Sequence, residues 1–138
     1  MEKTTGASRI TMTLCAAVLG VSAGVATAQT RTPLLVYTAL ETDSMRAYKT
    51  AFEKANPDIE IKWVRDSTGI ITAKLMAEKA NPQADVVAGV AASSLALLQQ
   101  EGMLQPYEPK GFEKLTPAYS DSQRPPAWVG MDVWAAAI

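Results

Sequence analysis

The fold is decided by residues 33–64, which read PLLVYTALETDSMRAYKTAFEKANPDIEIKWV. The first eight of these residues form a short apolar run with Val, Tyr and Thr, which is typical of a strand buried on both faces. Apolar residues at spacings of three and four then predict a helix that is capped by Asp43 or Ser44 and ends at an Asn-Pro pair. Residues 59–64 alternate between apolar and charged side chains, which indicates an edge strand or a half-buried strand.

The same order of elements is predicted again further along the chain. Residues 66–69 supply caps for a second helix, which we expect to end at Asn81-Pro82. The run ADVVAGV at 84–90 predicts a third short buried strand. A third helix is expected to begin at Ser93-Ser94 and to end at Gly102.

Strands that alternate with helices in this way imply parallel pairing and right-handed crossovers, with helices on both faces of the sheet. The predicted fold class is therefore α/β, with a doubly wound, mostly parallel sheet. The second helix is expected to bury a stripe made of Ile70, Ile71 and Leu75. Residues 104–126 predict mostly loop, and the apolar run 128–138 predicts a further strand.

The first 28 residues have the organisation of a cleavable signal peptide. Lys3 and Arg9 provide a positive start, and residues 10–25 are mostly apolar. Ala26-Thr27-Ala28 then fits the small-residue cleavage rule, so the mature chain is expected to begin at Gln29 and to be secreted into the periplasm. The apolar run is short and interrupted by glycine, which argues against a membrane anchor.

Composition excludes several classes of catalytic and metal site. The chain has no histidine, and its one cysteine, Cys15, lies within the predicted signal peptide. A leucine precedes Cys15 where a lipid-bearing cysteine requires a small residue. No Ser-His-Asp set, histidine zinc site or disulfide can form, and we predict no catalytic residue, metal site or cofactor. The 13 basic and 14 acidic residues are intermixed, which argues against nucleic acid as a partner.

Small and hydroxyl-bearing residues follow each of the three predicted strands. Ligands of open parallel sheets bind beyond the carboxyl ends of the strands. Each of these turns also opens a helix, whose free N–H groups and positive dipole end favour an anion. The sequence therefore predicts an anion-binding cradle. Its predicted ligand-binding residues are Thr38, Ala39, Ser67, Thr68, Gly69, Ala92 and Ser93.

Other residues near these turns have structural alternatives. Ser, Thr and Asp at a helix start can act only as caps. Tyr37 is predicted to belong to the core rather than to a ligand platform. Glu41 and Asp66 could meet a ligand cation or remain solvated, and Arg65 could strengthen anion binding or remain solvated. The three tryptophans are expected to serve packing: Trp63, Trp128 and Trp134.

Several phrases of the chain, in order and spacing, resemble the start of mature periplasmic solute-binding proteins of ABC transporters. They are LVYTALE at 35–41, FEKANP at 52–57, STG at 67–69, ADVV at 84–87 and EGML at 101–104. Within that family the sequence is most similar to the branch of 2-aminoethylphosphonate-binding and ferric-ion-binding proteins. The resemblance covers nearly all of residues 34–138.

The resemblance implies a type 2 periplasmic-binding fold, in which two lobes close on a small molecule and dock on a membrane permease. It implies roughly twice this length, so residues 29–138 are expected to be an incomplete N-terminal lobe. The end of the chain within the apolar run Ala135–Ile138 fits a fragment, for which poor stability alone is expected.

The implied ligand is a small anionic or zwitterionic solute, with 2-aminoethylphosphonate first and ferric iron as the alternative. Ferric binders take iron through tyrosines of the second lobe, often with a histidine of the first, and this chain has no histidine. Two alternatives of another class stay open. One is an exported enzyme that uses carboxylates such as Asp66 and Asp85, and the other is a truncated product without function.

Overall fold

The computed structural model describes residues 30–133, in which strands and helices alternate. The predicted signal peptide and residues 134–138, with Trp134, lie outside the described residues. No helix within the described range is long and apolar enough to cross a membrane. The elements are β1 (Thr32–Thr38), α1 (Thr42–Ala55), β2 (Ile59–Arg65), α2 (Thr68–Ala77), β3 (Val86–Ala88) and α3 (Ala92–Gln100). Two short 3-10 turns follow at Phe112–Lys114 and Pro117–Tyr119.

The three strands form one parallel sheet in the order β2-β1-β3. This arrangement confirms the predicted α/β fold with a parallel sheet. The chain moves one way across the sheet from β1 to β2 and the other way from β2 to β3. Right-handed crossovers in opposite directions place α1 on one face of the sheet and α2 on the other, which makes the sheet doubly wound.

The main core lies between the sheet and the helices α2 and α3. Tyr37 of β1 packs there with Ile71 and Leu75 of α2 and Leu98 of α3, and all four are buried. Because side chains alternate along a strand, Val36 points to the opposite face. That second face is covered by α1, which has no buried residue of its own.

Several predicted boundaries and faces were wrong. Helix α1 begins before its predicted caps, since Met45 N–H bonds to Glu41 O at 3.0 Å and Glu41 is the N-cap residue. Helix α2 ends at Ala77 rather than at Asn81, because the chain turns immediately after it. Ile70 is 55% exposed, since it lies about 100° around the helix from the buried residue that follows it.

The predicted third strand and third helix also differ in extent. Strand β3 has only three residues, and α3 is capped by the backbone of Ala91 rather than by a serine. The predicted end at Gly102 is confirmed, because Gly102 has φ +68° and its N–H bonds to Gln99 O at 2.9 Å. Met103 N–H bonds to Leu98 O at 2.9 Å and completes this helix-ending motif.

Residues 104–133 form mostly loop, and the strand predicted to start at residue 128 is absent up to residue 133. A single antiparallel bridge joins Ser120 to Val129. The loop is instead anchored by the buried Asp121, whose carboxylate accepts the backbone N–H groups of Gln123 and Ala127. These hydrogen bonds hold the pKa of Asp121 below its usual value. Polar bonding, rather than strand pairing, therefore holds this segment in place.

Candidate ligand-binding site

The carboxyl ends of the three strands lie in one row. Thr38, the last residue of β1, pairs with Arg65 at the end of β2 and with Ala88 at the end of β3. The turns that follow the three strands therefore leave the same edge of the sheet side by side. Each turn leads directly into the N-terminus of a helix, so the predicted site residues are brought to one edge.

The middle turn is held by Thr38, which is fully buried. Its hydroxyl oxygen accepts the N–H of Leu40 at 3.1 Å, and its carbonyl oxygen accepts the N–H of Asp66 at 3.2 Å. Thr38 thus shapes its own turn and ties it to the turn after β2. Ala39, beside it, is half-buried. Ligand contact by these two residues stays a prediction.

The turn after β2 carries the most open polar groups. Ser67 is the N-cap residue of α2, and its hydroxyl oxygen accepts the N–H of Ile70 at 3.5 Å. Within residues 30–133, the N–H groups of Thr68 and Gly69 have no acceptor, as is usual in a first helical turn. A Cβ at Gly69 would point into open space and Gly69 is exposed, so solvent reaches this backbone.

The turn after β3 opens α3 without a side-chain cap. Ala91 O accepts the N–H groups of Ser94 at 2.9 Å and Leu95 at 3.2 Å. Ala92 and Ser93 are exposed, and neither their N–H groups nor the Ser93 hydroxyl has a partner in the described part of the chain. A second helix N-terminus is therefore open at the same edge.

Charged side chains of both signs border these turns. Arg65 Nε donates to Leu40 O at 2.8 Å, and its Nη2 lies 3.4 Å from the carboxylate of Glu41. The Glu41 side chain is 85% exposed. Asp66 accepts the N–H of Ser67 at 2.7 Å and thereby fixes the start of α2. The edge combines the open N-termini of α2 and α3 with a guanidinium and two carboxylates.

Tyr37 belongs to the core, as predicted. It is 2% exposed, and its hydroxyl donates to Glu78 Oε2 at 2.9 Å, near the far end of α2. Burial, followed by the hydrogen bond to Glu78, raises the pKa of Tyr37. Lys74 Nζ lies 5.3 Å from the ring centre and 2.5 Å from the Glu78 carboxylate. Tyr37 and its two partners therefore connect the sheet to α2. Their contacts lie away from the turns at the carboxyl ends of the strands.

The tryptophans within the described range are placed in packing positions. Trp63 is half-buried on β2. The indole N–H of Trp128 donates to Gln99 Oε1 at 3.0 Å and joins the loop to α3. Gln99 Nε2 in turn donates to Asp121 at 3.3 Å.

Leu40 and Gly89 are residues of this edge that the sequence did not mark as ligand-binding residues. Gly89 has φ +64°, and the Leu40 side chain packs against its backbone. The available signal was a single glycine between a strand and a helix, where it marks a close approach of two chain segments. Gly89 stands alone and matches no glycine-rich phosphate motif, so the sequence gives no stronger signal there.

Carboxylates elsewhere have structural partners. Asp85 accepts the N–H of Leu35 at 2.8 Å and returns its own N–H to Leu35 O at 2.9 Å, which starts the pairing of β1 with β3. At the opposite edge of the sheet, Arg31 and Glu53 line a shallow concavity with a 3.0 Å ion pair. Between residues 30 and 133, no three His, Cys, Asp or Glu side chains lie together as a metal site requires.

Comparison with known proteins places the chain in a family. The profile of the bacterial extracellular solute-binding protein family matches residues 38–131, which is more than half of the chain. The chain therefore belongs to this family.

Parts of the chain are similar in sequence or structure to particular proteins. The probable ABC transporter periplasmic-binding protein y4fP of Sinorhizobium fredii is 44% identical over 64 residues, which are 46% of this chain and 18% of the relative. The periplasmic binding protein AfuA from Actinobacillus pleuropneumoniae, with exogenous fructose-6-phosphate bound, is 26% identical with a TM-score of 0.59. That match covers 65% of this chain and 28% of AfuA.

Iron-bound HitA from Pseudomonas aeruginosa is 22% identical with a TM-score of 0.60, over 66% of this chain and 29% of HitA. At this identity the likeness shows the fold alone. The chain spans less than a third of the length of each of these three proteins. The fold of residues 30–133 is that of a lobe of a type 2 periplasmic-binding protein.

Proposed function

We propose that this chain is the first lobe of the substrate-binding component of an ABC importer. It captures a small solute that carries a phosphonate group, 2-aminoethylphosphonate, in the periplasm and delivers it to a membrane permease. The observation that carries the proposal is the row of open helix N-termini at the carboxyl edge of the sheet. The family to which the chain belongs supports a binding role without catalysis.

The donors at this edge suit a tetrahedral oxyanion. Two N–H groups of α2 and two of α3 lack acceptors within the described residues, and three hydroxyls stand beside them, those of Ser67, Thr68 and Ser93. The positive ends of two helix dipoles favour negative charge at the same place. A phosphonate offers three acceptor oxygens, so one ligand group can accept hydrogen bonds from more than one of these donors.

The carboxylates fit the second charge of a zwitterion. Glu41 is anchored by Arg65 on one side, and most of its side chain is open to solvent. An ammonium group two carbons from the phosphonate would meet this carboxylate or that of Asp66. AfuA, whose structure has fructose-6-phosphate bound, supports a phosphate-like group as the class of anion.

The export part of the proposal rests on residues 1–28, which we propose to be a signal peptide cleaved after Ala28. A second lobe is proposed to close over the ligand and to complete the contact surface for the permease. The lobe described here supplies the anion cradle.

Calorimetry on the full gene product tests the ligand. Its affinity for 2-aminoethylphosphonate is expected to exceed that for inorganic phosphate, fructose-6-phosphate and ferric citrate. The double variant Ser67→Ala, Thr68→Val removes two hydroxyl donors, each worth about 1.5–3 kcal/mol toward a charged group. We therefore expect binding to weaken on the order of a hundredfold or more, since about 1.4 kcal/mol corresponds to a factor of ten.

Thr72→Val is the matched control, because it removes a hydroxyl one turn further along α2, where it donates to Thr68 O at 2.7 Å. This variant is expected to bind like the wild type. An unchanged affinity of the double variant, together with a lower melting temperature, would leave Ser67 as a helix cap only. If the protein binds ferric citrate more tightly than every phosphonate and phosphate, the proposed ligand is wrong and iron is the ligand.

A further inference from the structure

Leu40 contacts all three turns of the carboxyl edge. Its N–H donates to the hydroxyl oxygen of Thr38 at 3.1 Å, within the turn after β1. Its carbonyl oxygen accepts Arg65 Nε at 2.8 Å, from the end of β2. Its side chain packs on the backbone of Gly89, in the turn after β3. Leu40 thus contacts three different segments, through its backbone N–H, its carbonyl oxygen and its side chain.

Gly89 is required at its position for two separate reasons. Its φ of +64° lies in the left-handed region, which residues other than glycine adopt only with strain. A Cβ built at Gly89 would also overlap Cγ and Cδ2 of Leu40, with Cδ1 at 3.2 Å. Any side chain at position 89 must therefore displace the side chain of Leu40.

We infer that Leu40 and Gly89 form a junction that fixes the three turns relative to one another, and that Gly89 is a positioning residue for the ligand. The ligand part of this inference rests on the proposed function. Donors from α2 and α3 can share one anion only if the starts of these helices keep a fixed separation. The junction provides that separation without touching the ligand itself.

The test compares two glycines that have the same backbone conformation. Gly89→Ala adds a methyl group at φ +64°, and Gly102→Ala adds one at φ +68° with no atom within 4 Å of the new Cβ. Both variants of the full gene product are expected to lower the melting temperature, because both strain the backbone. Only Gly89→Ala is expected to weaken binding of 2-aminoethylphosphonate, on the order of tenfold, the factor of one hydrogen bond to a charged group.

A second variant separates loss of the junction from backbone strain. Leu40→Ala removes the side chain that packs on Gly89, and it keeps the glycine and the two backbone hydrogen bonds of residue 40. Leu40→Ala is therefore expected to weaken binding by a factor similar to that of Gly89→Ala, and combining the two is expected to add little further loss, since both break the same contact. Equal affinities of Gly89→Ala and Gly102→Ala would overturn the positioning role, and so would an unchanged affinity of Leu40→Ala.

Amide NMR of the same proteins separates this inference from the proposed function. Gly89→Ala is expected to shift the backbone amide signals of Leu40 and Asp66 as well as those next to position 89. Shifts confined to residues 88–91 would overturn the junction even if ligand binding is found. If the wild type binds none of the phosphonates or phosphates, the proposed function fails, and the amide shifts alone decide whether the junction exists.

Discussion

The polar groups at the amino ends of the strands (the amino edge) and at their carboxyl ends (the carboxyl edge) are used in opposite ways. At the amino edge, the Glu53 carboxylate accepts Ile61 N–H at 2.8 Å and forms 3.0 Å ion pairs with Lys49 and Arg31. At the carboxyl edge, the first N–H groups of α2 and α3 have no partner within residues 30–133. The amino edge holds the fold together, whereas the carboxyl edge leaves its donors free.

This difference shows that charge density alone does not identify a binding site in this lobe. Within residues 30–133, the densest ion cluster contains Arg31, Lys49 and Glu53, and both cations are paired with the Glu53 carboxylate. The proposed site has fewer full charges, but its backbone donors and helix dipoles remain open to a ligand. Substitutions at the amino edge should therefore change stability, and substitutions at the carboxyl edge should change binding.

The largest effect is expected from a negative charge placed at the carboxyl edge. Gly69→Asp puts a carboxylate in the first turn of α2, where there is room for it. The helix dipole favours such a charge by about 0.3–1 kcal/mol, so the melting temperature is expected to rise. Binding of 2-aminoethylphosphonate should fall by more than a hundredfold, since juxtaposed like charges cost several kcal/mol, on the order of a hundredfold or more in affinity.

Asn81→Asp is the control for this variant, because it adds the same charge at an exposed residue beyond the other end of α2. It is expected to leave the affinity unchanged by calorimetry. If Gly69→Asp binds the ligand as well as the wild type does, the start of α2 does not meet the anion. Stability and affinity that fall together would indicate general damage rather than a binding site.

A smaller effect, on stability alone, is expected at the amino edge. Burial by itself would raise the pKa of Glu53, but hydrogen bonds from Ile61, Lys49 and Arg31 outweigh it and lower the pKa to about 2. A carboxylate whose folded pKa lies below its unfolded value of 4.5 stabilises the fold fully above that value. This stabilisation is expected to be lost as the pH falls from 4.5 to about 2.

Glu53→Gln should therefore destabilise the fold at neutral pH and flatten the acid side of a plot of unfolding free energy against pH. Ligand affinity should not change. Glu113→Gln is the control, since this exposed carboxylate has no ion pair in the part of the chain that the structure describes. An acid profile of Glu53→Gln identical to that of the wild type would contradict the ion cluster.

Hydrophobic periodicity sufficed to predict the order of the elements and the parallel sheet. The run at 33–40 and the alternation at 59–64 correspond to β1 and β2, whose pairing brings the turns to one edge. Hydrophobic periodicity failed to predict which residues of α2 are buried. Ile70 and Ile71 are equally apolar, but Ile71 is the buried one because it lies on the same helix face as Leu75, which packs in the core.

The site was predictable in part for the same reason. Hydroxyl and small residues after a strand are visible in the sequence, and the rule for parallel sheets places them together. The junction of Leu40 with Gly89 was not predictable, because it depends on a contact between segments about fifty residues apart. The contact roles of Thr38, Ser67 and Ser93 remain predictions until a ligand is measured.

The smallest effect is expected from Ser67→Ala in the absence of ligand. The Ser67 hydroxyl accepts Ile70 N–H at 3.5 Å, the long limit for a hydrogen bond, so the cap should be weak. We expect the free energy of unfolding to fall by about 0.5 kcal/mol, the lower end for loss of a serine cap. Urea unfolding of the full gene product measures this value, with Ser93→Ala as the control, since Ser93 makes no side-chain bond within residues 30–133.

A loss near 2 kcal/mol on Ser67→Ala would mean that the Ser67 hydroxyl is committed to the helix and is a poor ligand donor. A small loss of stability would mean that the Ser67 hydroxyl is available to an anion. Donors that are free in this way distinguish the carboxyl edge from the amino edge.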